Sequence, residues 1–341
     1  MTSRRSRTRS HRTHRSAVAL AILLAFYPAG DKFALLVLAL ACVPSVAQQP
    51  PDPLTPARSL LKSGALADSE AWLQTYLHAH ADSADAHFLL GYVLFREKKA
   101  KPSLTEFTAG AKYRRPDAGD LKIVASDYVL LGDFADADKW FTEVARETPQ
   151  DADAWYLLGR TQYSENGFQE AAASFERALA LHPKYIEAEN NLGLSWQEMN
   201  QRVKAKTAFQ TAIDWQRESP TDPQPFLNLG TLLADEHDFD ASIGYLTQAV
   251  SVAPDNPRIH DELAKVYEAR KNLAMAQSEL EKAVALAPNS SELHFKLGRI
   301  YRSEGLKDQA AREFALCDKL NSTHSSTETP NPFTPVPASP H

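Results

Sequence analysis

The feature that most constrains this chain is self-similarity at a period of 34 residues. Aligned on itself, the sequence gives units that begin at Ala84, Ala118, Ala152, Ile186, Pro223, Pro257 and Ser291; every step is 34 except the one from Ile186 to Pro223, which is 37. Position 7 of the unit reads Leu90, Val124, Leu158, Leu192, Leu229, Leu263, Leu297. Position 8 reads Gly91, Ala125, Gly159, Gly193, Gly230, Ala264, Gly298. Position 20 is Ser or Ala throughout, and position 24 is Phe107, Phe141, Phe175, Phe209, Leu246, Leu280, Phe314. A period this short implies an array in which each unit buries its apolar face on the next.

The columns describe a helical hairpin. Positions 4, 7, 8 and 11 share one face of a first helix, and positions 20, 24 and 27 share one face of a second. Small residues at 8 and 20 let the two backbones approach, while the large residues at 7 and 24 fill the space beside them. Ser83, Asp117, Asp151, Asp222, Asn256 and Ser290 stand where each can cap the following helix. Pro223 and Pro257 then occupy a first helical position, which needs no amide donor, and Pro149, Pro183, Pro254 and Pro288 close the preceding helix. No unit has a strand's period of two. The expected fold is all-α, a superhelical solenoid.

Trp155-x-x-Leu158-Gly159, followed by Ala171, Phe175, Ala178 and Pro183, resembles the tetratricopeptide repeat. Gln162 departs from that pattern at position 11, as do Arg202 and Lys307 at the usually apolar position 17. A weaker eighth unit precedes the others, with Leu60, Leu61 and Gly64 and a helix through Trp72, Leu73 and Tyr76. The resemblance covers residues 54–322 and implies a right-handed solenoid of about eight hairpins that binds a partner in its concave groove.

The ends differ from the array. Residues 1–47 carry Arg4, Arg5, Arg7, Arg9, Arg12, Arg15 and Lys32 against Asp31 alone, and they include two eleven-residue apolar runs, 17–27 and 33–43. Each run makes roughly 16 Å of helix, about half a hydrocarbon core. Joining them across a membrane would bury Asp31 and Lys32, at about 2.5–3.5 kcal/mol each. The segment reads as a signal peptide cut before Gln48, after Ser45-Val46-Ala47. An uncleaved anchor, a lipoprotein at Cys42 and a twin-arginine signal at Arg4-Arg5 are the rival readings. Export to the periplasm or the exterior is expected, with membrane contact only through this segment. Residues 323–341, rich in Ser, Thr and Pro, are expected to form a disordered tail.

Without the leader the chain holds 30 basic and 42 acidic residues, a net of −12. That charge disfavours nucleic acid as a partner. Cys317 is then the one thiol of the body, at the small position 27, and no Cys or His set has metal-ligand spacing. No phosphate loop, nucleophile elbow or His-Glu-x-x-His is present, so neither catalysis nor a cofactor is expected. His87, His260 and His294 all stand at position 4 and read as replacements for the packing Trp.

The resemblance places positions 2, 5, 9, 12 and 13 on the groove. These columns give Phe88, Tyr92, Phe95, Tyr156 and Tyr163, an aromatic cluster with Lys122 and Arg160 nearby. Asn191 and Asn228 occupy position 6 of consecutive units, where some relatives hold the backbone of an extended peptide. The last two units add Lys265, Arg299 and Arg302. The expected function is a non-catalytic scaffold or adaptor for a protein or peptide partner. An accessory subunit of an envelope assembly or secretion machine, and an enzyme with a site built across repeats, are the alternatives.

Overall fold

The computed structural model describes residues 52–325, with side chains through Ser322. The leader, its cut before Gln48 and nearly all of the expected tail lie outside the described residues. The chain divides into two compact units at Thr55. Of the first, only residues 52–55 are described, where Asp52 accepts the Leu54 amide (2.9 Å).

The second unit carries sixteen helices and, among the described residues, no strand. They pair as α1 (Thr55–Lys62) with α2 (Leu66–Ala79), α3 (Ala84–Arg96) with α4 (Ala100–Ala111), and α5 (Ala118–Leu131) with α6 (Phe134–Glu147). Then follow α7 (Ala152–Ser164) with α8 (Phe168–Leu181), α9 (Ile186–Glu198) with α10 (Arg202–Trp215), and α11 (Gln224–Asp235) with α12 (Phe239–Val252). The last two pairs are α13 (Pro257–Ala269) with α14 (Leu273–Leu286) and α15 (Ser291–Ser303) with α16 (Lys307–Ser325). From Ala84 onward the hairpins match the repeat units one for one.

Five first helices start at a side-chain cap, whereas α9 starts after Tyr185 without one. Ser83, Asp151, Asn256 and Ser290 accept amides of the first turn, and Asp117 forms a reciprocal capping box with Asp120. One start differs from expectation: Pro223 takes the cap place and α11 begins at Gln224, although Asp222 still accepts the Gln224 amide (2.9 Å).

Within a hairpin, the position-24 ring lies directly on the position-8 glycine. A Cβ added to Gly91, Gly159, Gly193 or Gly298 would stand 2.8, 2.7, 2.6 or 2.8 Å from Phe107, Phe175, Phe209 or Phe314. Phe141, Phe175 and Phe209 are 0–1 % exposed, each worth about 1.5–3 kcal/mol of burial. Position 20 lies against the same spot: Ser103 and Ser242 donate to the carbonyls of Gly91 (2.8 Å) and Gly230 (2.7 Å).

Position 15 turns every hairpin with a left-handed residue. Gly64, Gly132 and Gly305 have φ of 74–81°, and Lys98, Asn166, Asn200, His237 and Lys271 have φ of 57–64°. Position 4 ties the hairpin to the preceding loop. Trp155 donates its indole N–H to the Pro149 carbonyl (3.3 Å). The Nε2 atoms of His87, His260 and His294 lie 2.9–3.0 Å from the carbonyls of Ala81, Pro254 and Pro288, and their Nδ1 atoms lie 2.6–2.7 Å from Glu106, Glu279 and Glu313. The three histidines do replace the packing Trp, each with an added acidic partner.

Each second helix packs on the first helix of the next unit, and first helices also touch one another, α3 with α5, α7 with α9, α9 with α11 and α11 with α13. The first helices therefore line the inner side of the stack. One buried group has no role in these columns. Both carboxylate oxygens of Asp127 on α5 are fully buried and unpaired. Burial pushes this acid up to about 6; the Ser103 hydroxyl opposes the rise only weakly, since it donates to Gly91.

Replacing Gly193 by Leu should drive a side chain into the Phe209 ring and cost about 1–3 kcal/mol or more. A chemical-denaturation midpoint equal to that of the parent would contradict the close contact. The Asp127 acid supplies a pH test. Its folded pKa lies above the ordinary value of about 3.9, so the folded state keeps a proton that the unfolded state releases between about pH 4 and pH 6. Stability contributed by that proton is whole below pH 4 and gone above pH 6. Asp127→Asn should therefore gain about 1–3 kcal/mol over the parent at pH 7.5 and little at pH 4. Denaturation curves at the two pH values check this, and an equal difference at both would refute it.

Candidate functional site

Side chains that the hairpin columns do not use collect on the inner face. One opening there is a recess of about 810 Å³ walled by α7, α9, α11, the link before α11, and Arg258 of α13. It lies where the period lengthens to 37. The link from α10 to α11 has eight residues, against four between α6 and α7, α8 and α9, α12 and α13, and α14 and α15. Gln216, only 4 % exposed, staples this longer link: its Nε2 donates to the Asp222 carbonyl (2.9 Å) and its Oε1 accepts the amides of Thr221 and Asp222 (3.0 Å each). Thr221 and Asp222 are thereby presented as wall of the recess.

Tyr156, Arg160 and Tyr163 of α7 form one side of it. The Tyr156 ring packs on Tyr185 (4.9 Å between centroids), with the Arg160 guanidinium 5.7 Å from its centre. Burial holds the Tyr156 and Tyr163 hydroxyls above the ordinary tyrosine range. The floor is an amide pair: Asn228 Nδ2 donates to Asn190 Oδ1 (2.8 Å), the two residues being 9 % and 5 % exposed. On the same helix, burial pushes the part-buried Glu189 up to about 7.

A smaller apolar pocket of about 220 Å³, lined by Phe95, Val129, Leu130, Phe134 and Leu157, shares Arg160 with the recess. Leu130 is 50 % exposed at its rim. A third opening holds Phe88 and Tyr92.

The expected aromatic cluster is therefore not one patch. Tyr156 and Tyr163 face the recess, Phe95 faces the apolar pocket and Tyr92 faces the third opening, where its hydroxyl accepts from Arg96 (3.2 Å). Phe88 is core: it is 4 % exposed, stacks on Phe107 and fills the space above Gly110. Asn191 and Asn228 both line the recess. Asn191 donates to the Glu187 carbonyl of its own helix (2.7 Å), and Asn228 turns to Asn190. Lys122 pairs with Asp151, Lys265 with Asp261 and Glu262, and Arg299 with Glu268, while Arg302 lies over Phe314. Lys122 and Arg299 thus bridge successive hairpins, Lys265 and Arg302 stay within their own, and none of the four lines the recess. Sequence reading missed Glu187, Asn190, Gln216, Asp222 and Arg258 as site residues; the one available signal was the 37-residue step.

Models of the tetratricopeptide repeat match residues 54–118 and 125–195, 233–294 and 291–324. The chain is 23 % identical over 210 residues to the human protein O-mannosyl-transferase TMTC1, a match that covers 60 % of this chain and 23 % of that protein. It thus spans about a quarter of that relative's length. Among solved structures it is similar to a tetratricopeptide repeat protein from Parabacteroides merdae (TM-score 0.59, 16 % identity, 72 % of this chain and 96 % of that one). It is also similar to PilW, a widely conserved type IV pilus biogenesis factor (TM-score 0.53, 21 % identity, 62 % and 95 %). At these identities the likeness is one of fold.

The Gln216 staple can be tested directly. Gln216→Ala leaves two amides and a carbonyl of the link without their partner and should cost about 1–3 kcal/mol. Hydrogen exchange at Thr221 and Asp222 should accelerate at least tenfold, and unchanged protection would mean that the link is held by something else.

Proposed function

The chain belongs to the tetratricopeptide-repeat family, and from that premise we propose that it is a non-catalytic scaffold whose inner face grips a segment of a partner protein along α5, α7, α9 and α11. The observation that carries this reading is the pairing of two unlike cavities on one wall. The 220 Å³ apolar pocket has the size of a single large aliphatic or aromatic side chain, and the 810 Å³ recess beside it presents amides, tyrosines and carboxylates. An apolar anchor beside polar groups that fix orientation is how a protein surface holds a segment of another. The recess walls bring no nucleophile set against a base, which supports binding over chemistry. The transferase in the name of the human relative is that protein's, and this chain spans about a quarter of it.

The basic, apolar leader supports action outside the cytoplasm. Combined with the likeness in fold to the pilus biogenesis factor, it also favours a second reading, in which the scaffold serves an envelope assembly.

Leu130→Asp together with Asn191→Ala alters both cavities at surface positions. A partner captured by the full chain should bind this variant at least tenfold more weakly, as expected when an anchor worth about 2 kcal/mol is lost, and far-UV helicity should be unchanged. Undiminished binding by a fully helical variant would move the site off the inner face.

A further inference from the structure

We infer that the recess receives a basic side chain of the partner, a lysine or arginine, seated between Glu187 and Asp222 beside the ring of Tyr156. This rests on the groove reading above and adds to it the chemistry of the segment bound.

Elsewhere along the array, several carboxylates on or before the first helices are answered by cations. Asp151 has Lys122, Glu236 has Lys206, Asp261 has Lys296 and Glu268 has Arg299. The recess holds two that are not so answered. Glu187, in the first turn of α9, and Asp222, on the stapled link, both face the cavity, and neither has an ion-pair partner among the described residues. Burial pushes the Asp222 acid up, the Gln224 amide opposes it, and the charge of Glu187 adds to the rise; no cation offsets it. Arg160 is held at the Tyr156 ring, and Arg258 stands on α13 without relieving Asp222. A carboxylate made harder to ionise by burial and by a second carboxylate lining the same cavity is a vacancy for one cation, and Tyr156 adds an aromatic wall that accepts a cation's stem and charge.

A second observation is independent of charge. Asn190 is 5 % exposed, and its Oδ1 accepts from Asn228, but its Nδ2 has no partner among the described residues and opens on the same recess. A donor left free on the recess wall can be met by an acceptor that a ligand brings. The main-chain carbonyl beside the incoming basic residue supplies one, so side chain and backbone of one residue would be read together.

Random twelve-residue peptides displayed on phage, selected against the full chain and then synthesised, test the inference. Selected peptides should share Lys or Arg at one position, and replacing that residue by Ala should weaken binding at least tenfold. Glu187→Gln in the protein should reproduce the loss, and Glu187→Lys should shift the selected residue from basic to acidic. Peptides that are lost with Leu130→Asp and Asn191→Ala, yet show no basic preference and ignore Glu187→Gln, would overturn the cation site and leave the groove reading standing. Selection of peptides indifferent to both sets of substitutions, or of none at all, would overturn both.

Discussion

The array rests on the contact between the position-24 ring and the position-8 glycine. It sets how closely the two helices of a hairpin approach, and hence which faces remain for the next hairpin. With a Cβ at Gly193 only 2.6 Å from Phe209, nothing larger fits without displacing the ring. The serines of position 20 extend the same constraint into polar chemistry, since Ser103 and Ser242 reach glycine carbonyls that only a close neighbour can touch. Position 8 is alanine at Ala125 and Ala264, facing Phe141 and Leu280, while Gly230 faces Leu246, so small stays opposite large although the two columns vary independently. Every hairpin repeats this joint, so the stack is held by nearest-neighbour terms and not by one central core.

That arrangement explains how a binding site can arise without disturbing the fold. Three additional residues between α10 and α11 do not alter the hairpin on either side, because each hairpin already closes on itself. They lengthen a link, Gln216 folds the link into a fixed shape, and the inner face acquires a recess. The site is therefore a local departure from periodicity set in a periodic frame.

The sequence made the frame legible because its columns record contacts that recur seven times. The Gly/Phe seam, the capping Asp and Ser residues and the three position-4 histidines could each be read from spacing alone. The site was less legible, for identifiable reasons. Phe88 stands in a column that faces the groove, but the small residue Gly110 opposite it lets the ring sink into the core. Lys122, Lys265 and Arg299 are on the expected face, yet carboxylates claim them, those of Lys265 on its own helix and those of Lys122 and Arg299 from beyond theirs, and the latter pairing depends on distances that a linear period does not encode. Gln216 and Asp127 occur once each, so no column marks them.

The left-handed column at position 15 has a consequence for how the molecule ages under selection. Five of its eight turns use Lys, Asn or His where glycine would sit without strain, and a side chain in that region costs up to about 1–2 kcal/mol, less for Asn. The hairpin bends thus work as a row of cocked springs, each holding a little tension that the seam beside it restrains. Residue changes at the bends can release that tension one turn at a time while touching neither the seam nor the inner face.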